Sequence, residues 1–363
     1  MKIFEKSNPK SIIKKPLIEL PTPTSISYMW NWGSLLGVCL VVQLITGILL
    51  ASHYNADVKT AFESVISITR NINFGYEIRF VHINIARIFF ICIFIHIRRR
   101  LFNSSFKLKN TWISGTTILL ILIGTAFLGY VLPWGQISFW GATVITNLLS
   151  AIPYIGKTIV EWLWGGFSIE KATLSRFFTL HFIFPMVLTF MVLVHLILLH
   201  STGSNKPLGN NNKTDIINFH PFFSSKDIPT LVIIVIFLIM CSILSPFFMG
   251  DPENFNIANP LNTPIHIQPE WYFLFAYAIL RSIPRKLGGV LALLISIFTL
   301  YFLPPLKKMK TTKKWIPNQK YNFWFYASCF SALTWAGAIP VEPPFENTRK
   351  ILSLTYFSFM VNL

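Results

Sequence analysis

Charge is scarce in this chain. Of its 363 residues only 12% are Asp, Glu, Lys or Arg, whereas 53% are hydrophobic; a soluble domain of this size carries about twice that share of charge. The composition therefore excludes a water-soluble globular fold and describes a polytopic membrane protein. Acidic residues are scarcest, 14 against 31 basic ones. Cysteine is nearly missing: Cys39, Cys92, Cys241 and Cys329 stand singly in apolar segments. They form neither a disulfide framework nor a C-x-x-C-H motif, and core packing is their expected role. Residues 1 to 20 are polar and lysine-rich and show no cleavable signal. The heavy use of Ile, Phe, Lys and Asn suits an AT-rich organellar genome.

Eight stretches are long or apolar enough to be considered as spans: 30 to 51, 78 to 98, 112 to 133, 175 to 200, 229 to 249, 287 to 306, 321 to 340 and 349 to 363. The last keeps only about thirteen apolar residues, against the roughly 20 that a span needs. The connections 1 to 29, 98 to 111, 200 to 228 and 306 to 320 hold 19 of the 31 basic residues, including "RRR" and "KKMKTTKK". Ten of the 14 acidic residues lie on the other side. This asymmetry predicts both termini on the inside face. It also makes the formal charge of +17 a topology signal more than a nucleic-acid footprint. On the outer side, 134 to 171 and 250 to 286 are too long and apolar for plain loops, so short interfacial helices and a pocket are expected there.

"HINIARIFFICIFIH" runs from His82 to His96, and "HFIFPMVLTFMVLVH" from His181 to His195. Fourteen helical residues fall 40° short of four full turns, so both histidines of a pair point from nearly one face, about 21 Å apart. The two spans run the same way, which sets His82 opposite His181 at the outer depth and His96 opposite His195 at the inner depth. Haem iron commonly takes two axial histidines and nothing else from protein, whereas zinc or copper sites want three or four ligands. With no C-x-x-C-H motif, two such haems are non-covalent and b-type.

Glycines repeat the spacing. Gly33 and Gly47, and Gly115 and Gly129, are again fourteen apart, on helices running the opposite way. Gly47 and Gly129 fall at the outer depth and Gly33 and Gly115 at the inner depth, where a flat macrocycle needs a close backbone approach. Arg79, Arg99 and Arg176 stand near span ends, where propionates need cations; snorkelling is the alternative for each.

These features resemble the mitochondrial cytochrome b family, the central subunit of the quinol:cytochrome c oxidoreductase (bc1, respiratory complex III). The likeness covers nearly the whole chain and is strongest in the histidine segments, "GYVLPWGQISFWGATVITNLLSAIP" (129 to 153) and "PEWYFLFAYAILRSIP" (269 to 284). It implies an all-α polytopic membrane protein of about eight transmembrane helices. A four-helix bundle in residues 1 to 205 would hold a low-potential outer haem and a high-potential inner one, followed by a C-terminal group in 206 to 363. It implies a quinol-oxidising outer pocket of Tyr130, Gly141, Glu270, Tyr272 and Tyr277. Glu270 would be the base for a quinol proton, with aromatics able to sandwich a ring. A quinone-reducing inner site would use His200, Asp227 and Ser34, with Ser204 and Lys226 nearby. Ubiquinone is the implied substrate. The implied partners are cytochrome c1, a Rieske iron-sulfur protein and other subunits, in a dimeric complex of the inner mitochondrial membrane, with both termini on the matrix side.

Two features depart from the family. Ile85 stands where a glycine is expected, and Arg87 lies inside the membrane, turned 140° from His82 and in need of a carboxylate, carbonyls or water. The short final stretch is the second departure. A proton-coupled transporter using intramembrane histidines is the competing reading; it would show repeated halves around a midplane site, whereas these ligands sit at two depths. A di-haem anchor of another dehydrogenase gives no reason for P-E-W-Y.

Overall fold

A computed structural model describes residues 18–204, 215–247, 250–306 and 317–362. The lysine-rich residues 1 to 17 and the basic run 307 to 314, both part of the charge asymmetry, lie outside the described residues. Twelve α-helices appear there: α1 (Trp32–Ala51), α2 (Ala61–Asn71), α3 (Gly75–Phe102), α4 (Lys109–Val131), α5 (Gln136–Asn147), α6 (Gly156–Trp164), α7 (Lys171–Thr202), α8 (Ser224–Leu244), α9 (Leu274–Ser282), α10 (Lys286–Leu306), α11 (Pro317–Ala338) and α12 (Phe345–Asn362). Two short strands, β1 (Pro21–Pro23) and β2 (Ile216–Asn218), pair antiparallel with Pro21 opposite Asn218.

Six of these helices (α1, α3, α4, α7, α8 and α10) are long and apolar enough to cross a membrane. The last two expected spans are helical as α11 and α12 but fall short of that apolarity; α12 carries Glu346, Arg349 and Lys350. At 18 residues, α12 is longer than its apolar stretch predicts. Helix α8 ends at Leu244, short of the expected 249, because Ser245 precedes Pro246 and leaves the helical region at φ −151°, ψ 61°.

α1 lies along α3 and α4 along α7, so each glycine helix is the neighbour of a histidine helix, and contact between α1 and α7 joins the two pairs. Leu35, Cys39, Ile85, Phe90 and Cys92 form the buried centre on the α1–α3 side. Ile85 is completely buried, so its side chain fills volume that a glycine would leave to a neighbour. In the second half α9 packs on α10, α11 and α12. That group docks on the bundle through α10: Trp112 Nε1 donates to the Leu300 carbonyl at 2.7 Å, and Thr117 Oγ1 meets the Tyr301 hydroxyl at 2.9 Å.

The two expected interfacial segments contain α5 with α6, and α9 preceded by a 3-10 turn at Trp271–Phe273. Polar contacts pin the stretch before α9 onto α5. The Gln136 side chain donates to the Asn262 carbonyl at 3.0 Å and accepts from the Asn259 N–H at 2.9 Å, while Ser138 N–H donates to Asn254 Oδ1 at 2.9 Å. At the inner end, the β1–β2 ribbon brings the start of α8 to the start of α1, where Asn31 Nδ2 donates to the Lys226 carbonyl at 2.8 Å.

Trp112→Ala should loosen the docking of the second half, since a buried indole and its hydrogen bond are both lost. The expected cost is about 3 to 5 kcal/mol, read as a lower thermal midpoint in detergent. Trp112→Phe, which keeps most of the packing, should cost about 1 kcal/mol.

Candidate functional site

Four glycine–histidine contacts organise the bundle. A Cβ on Gly47 would come within 3.2 Å of the His82 ring, one on Gly115 within 3.1 Å of His195, and one on Gly33 within 3.5 Å of His96; a Cβ on Gly129 would collide with the His181 ring. Each glycine thus faces the histidine predicted at its depth. Across the bundle His82 faces His181 with ring centroids 6.5 Å apart and planes at 81°.

The polar neighbours of these rings decide their tautomers. The Thr125 carbonyl lies 2.8 Å from His181 Nδ1, and a carbonyl only accepts, so that nitrogen carries the proton. The Thr46 hydroxyl gives its one proton to the Val42 carbonyl at 2.7 Å and therefore accepts from His82 Nδ1 at 2.8 Å. Ser114 likewise donates to the Thr111 carbonyl at 3.0 Å and accepts from His195 Nδ1 at 2.8 Å. In all three rings the lone pair is left on Nε2, the arrangement that suits a metal-ligating imidazole held by an outer partner. His96 is the exception, because its Nδ1 stands 3.4 Å from Arg99 Nη2, which can only donate. Among the described residues no group of three or more His, Cys, Asp or Glu converges, so the histidines act in pairs. A macrocycle with two axial positions fits this donor set and its glycine cradle.

A cavity of about 280 Å³ holds the outer pair, with Gly47, Gly129 and Arg79 in its wall, and runs on to Arg87, Glu270 and Tyr272. Arg87, expected to turn away from His82, lines this cavity because its guanidinium reaches across to Glu270. The pair is bidentate: Nη2–Oε1 is 2.9 Å and Nε–Oε2 is 3.2 Å, with the side chains 4% and 7% exposed. Arg87 Nη1 also donates to Asn84 Oδ1 at 3.4 Å. Glu270 precedes the 3-10 turn, yet its side chain does not cap that turn. The Tyr272 ring stacks on Phe90 at 3.9 Å and 3°; burial, with the Glu270 carboxylate beside it, pushes its phenol well above the ordinary value.

A second cavity of about 20 Å³, room for about one water, is lined by Tyr130, Gly141, Ile145, Glu270 and Phe273. Tyr130 and Glu270 therefore stand in the walls of both cavities. Tyr277 lies in the wall of neither, and its ring carries the Arg281 guanidinium at 4.8 Å.

At the inner end, Ser34 Oγ donates to Asp227 Oδ1 at 2.9 Å across 193 positions of sequence. Asp227 lies in the first turn of α8, whose N-cap is Phe223. No hydrogen bond or ion pair joins His200 to Asp227; His200 is half-buried near the end of α7, Ser204 follows just beyond it, and Lys226 Nζ sits 5.0 Å over the Phe223 ring. Arg99 stacks on Trp30 at 4.8 Å and Arg79 donates to Thr69 Oγ1 at 2.9 Å. Arg176 is away from the outer cavity, donating to the carbonyls of Trp162 and Leu163 at the end of α6. Thr46 and Ser114 were missed as ring partners, although each directly precedes a cradle glycine, a hydroxyl–glycine pair visible in the sequence.

Two family models match the chain: "Cytochrome b/b6/petB" over residues 17–203 and "Cytochrome b(C-terminal)/b6/petD" over residues 257–357. Among solved structures, a chain of a hyperthermophilic respiratory Complex III is similar at a TM-score of 0.93 and 30% identity, over 99% of this chain and 96% of that one. With both halves matched and the superposition running almost end to end, this chain belongs to the cytochrome b family.

Proposed function

We propose that the chain is the electron-transfer subunit of a quinol:cytochrome c oxidoreductase, coupled to proton translocation. In this reading it works in the inner mitochondrial membrane with both termini on the matrix side. Its partners are cytochrome c1, a Rieske iron-sulfur protein and other subunits in a dimeric complex. Residues 1–205 form the redox domain and 206–363 the domain that closes the outer pocket. The observation that carries the reading is the outer pair, His82 facing His181, each donating from Nδ1–H to a neighbouring oxygen and each backed by a glycine.

His82 and His181 would hold a low-potential b haem, and His96 and His195 a high-potential one. Each haem, when bound, would supply a one-electron carrier. For His96 to ligate through Nε2, its long contact with Arg99 gives way to an acceptor at Nδ1. Arg79 and Arg99 would pair with propionates, as would Arg176 if it gave up its backbone carbonyls. Ubiquinol at the outer pocket loses two protons and two electrons. Glu270 accepts a proton there, while Tyr130, Gly141 and Tyr272 shape the pocket and Tyr277 supports it through Arg281. Ubiquinone at the inner site would gain two electrons and two protons, with Ser34 and Asp227 as the bonded core and His200, Ser204 and Lys226 around it.

A visible spectrum and pyridine haemochrome count should give two b haems per purified chain. His82→Ala and His181→Ala should abolish the same spectral component. Retention of both haems in either variant overturns the ligand assignment. Alanine at the glycines should lower haem content in a graded order set by the contacts: Gly129 most, Gly115 and Gly47 next, Gly33 least.

Glu270→Gln should keep both haems and slow quinol oxidation by about 100-fold to 10,000-fold, with the loss easing as pH rises. Haem reduction through the inner site, with the outer pocket blocked, should be nearly unchanged. Equal slowing of both reactions would make Glu270 structural.

A further inference from the structure

Arg87 is an unusual residue to find in an apolar span, since a lone guanidinium at membrane depth is costly. Here it is buried and forked onto both oxygens of one carboxylate, the geometry for which a guanidinium is suited and an ammonium is not. Its partner stands between two cavities. Glu270 lines both, whereas Arg87 lines only the one that contains His82. The other titratable groups facing Glu270 are Tyr130 from α4 and Tyr272 from its own turn; Asp251, from the loop after α8, faces Tyr130, and Arg79, His82 and His181 stand in the same cavity wall.

We propose that Arg87 is a positioning residue of the outer pocket: its fork holds the Glu270 carboxylate charged and turned to the His82 side of the seam, ready to take a hydroxyl proton. The inference rests on reading that pocket as the quinol site. Each carboxylate oxygen has two acceptor directions, so the fork leaves one on each oxygen for a donor. When the proton moves, the quinol O–H bond breaks, its electron pair stays on the quinol oxygen, and a new O–H bond forms on Glu270. The Arg87–Glu270 unit then goes from zero net charge to +1 in a buried setting, which is unfavourable, so the proton is passed on to water rather than kept. Without Arg87 the buried carboxylate is unpaired and takes up a proton before any quinol arrives. It then has nothing left to accept.

The test uses the whole complex carrying Arg87→Met. A carboxylic acid C=O band that wild type lacks should appear at neutral pH in infrared difference spectra, and it should vanish in Arg87→Met/Glu270→Gln. The acid limb of quinol oxidation should move upward by about one to three pH units, while haem reduction through the inner site keeps its profile. An unchanged acid limb with no new band overturns the proposal. If the band appears but Glu270→Gln oxidises quinol normally, the clamp stands and the quinol reading of the pocket falls. Arg87→Lys, with the charge but not the fork, covers the case in which Arg87→Met does not assemble: it should lose about tenfold to hundredfold in rate through misplacement of the carboxylate, and a wild-type rate there overturns the positioning role.

Discussion

An imidazole can offer a lone pair from one nitrogen only while the other holds the proton, and the bundle is arranged around that condition. The Thr125 carbonyl and the hydroxyls of Thr46 and Ser114 each accept a hydrogen bond from an Nδ1–H, which keeps the proton there and leaves the Nε2 lone pair free. Those hydroxyls can only accept because each is already spent on a carbonyl of its own helix. The helix backbone therefore sets the protonation of a ring on the neighbouring helix. The fourteen-residue spacing sets a second pair of rings at another depth, where His195 follows this arrangement and His96 meets Arg99 instead, and a glycine stands beside each ring.

The second half of the chain is tied to this bundle at both faces. On the outer side the ties are the Phe90–Tyr272 stack and the Arg87–Glu270 fork, both springing from α3. On the inner side the β1–β2 ribbon and Asn31 hold α8 where Asp227 meets Ser34. Both candidate quinone sites are accordingly built at seams between the halves. Movement of the second half against the first would alter the outer cavities and the Ser34–Asp227 contact, while the histidine pairs lie wholly within the first half.

The elements legible in the sequence were those that repeat or that physics makes costly. Histidines and glycines at one fixed spacing forecast their depths, and Arg87 announced that it needs a partner because an unpaired guanidinium cannot rest in an apolar helix. Which carboxylate answers it was not legible, because the two residues lie 183 positions apart and only the tertiary fold decides their meeting. The hydroxyls of Thr46 and Ser114 were passed over since either residue in a helix ordinarily bonds its own i−4 carbonyl; the second bond, to a ring, shows only when the helices are packed. Arg176 is placed by its position near a span end and Tyr277 by the family resemblance, and neither argument reads the backbone carbonyl or the cation that each side chain meets in the fold. The β1–β2 ribbon left no signal, being three residues long and proline-bounded on one strand.

The separation of Arg87 from Glu270 also orders events during biosynthesis. A ribosome adding about 5 to 20 residues per second needs on the order of 10 to 40 seconds to make the carboxylate after the guanidinium has emerged. Through that interval α3 sits in the bilayer with an uncompensated cation, a burden of about 2.5 to 3.5 kcal/mol on an insertion scale. Its surrounding Ile and Phe residues must outweigh that burden alone. The arrival of P-E-W-Y then relieves it, so the completion of the outer pocket is also the moment at which an earlier helix becomes fully settled in the membrane.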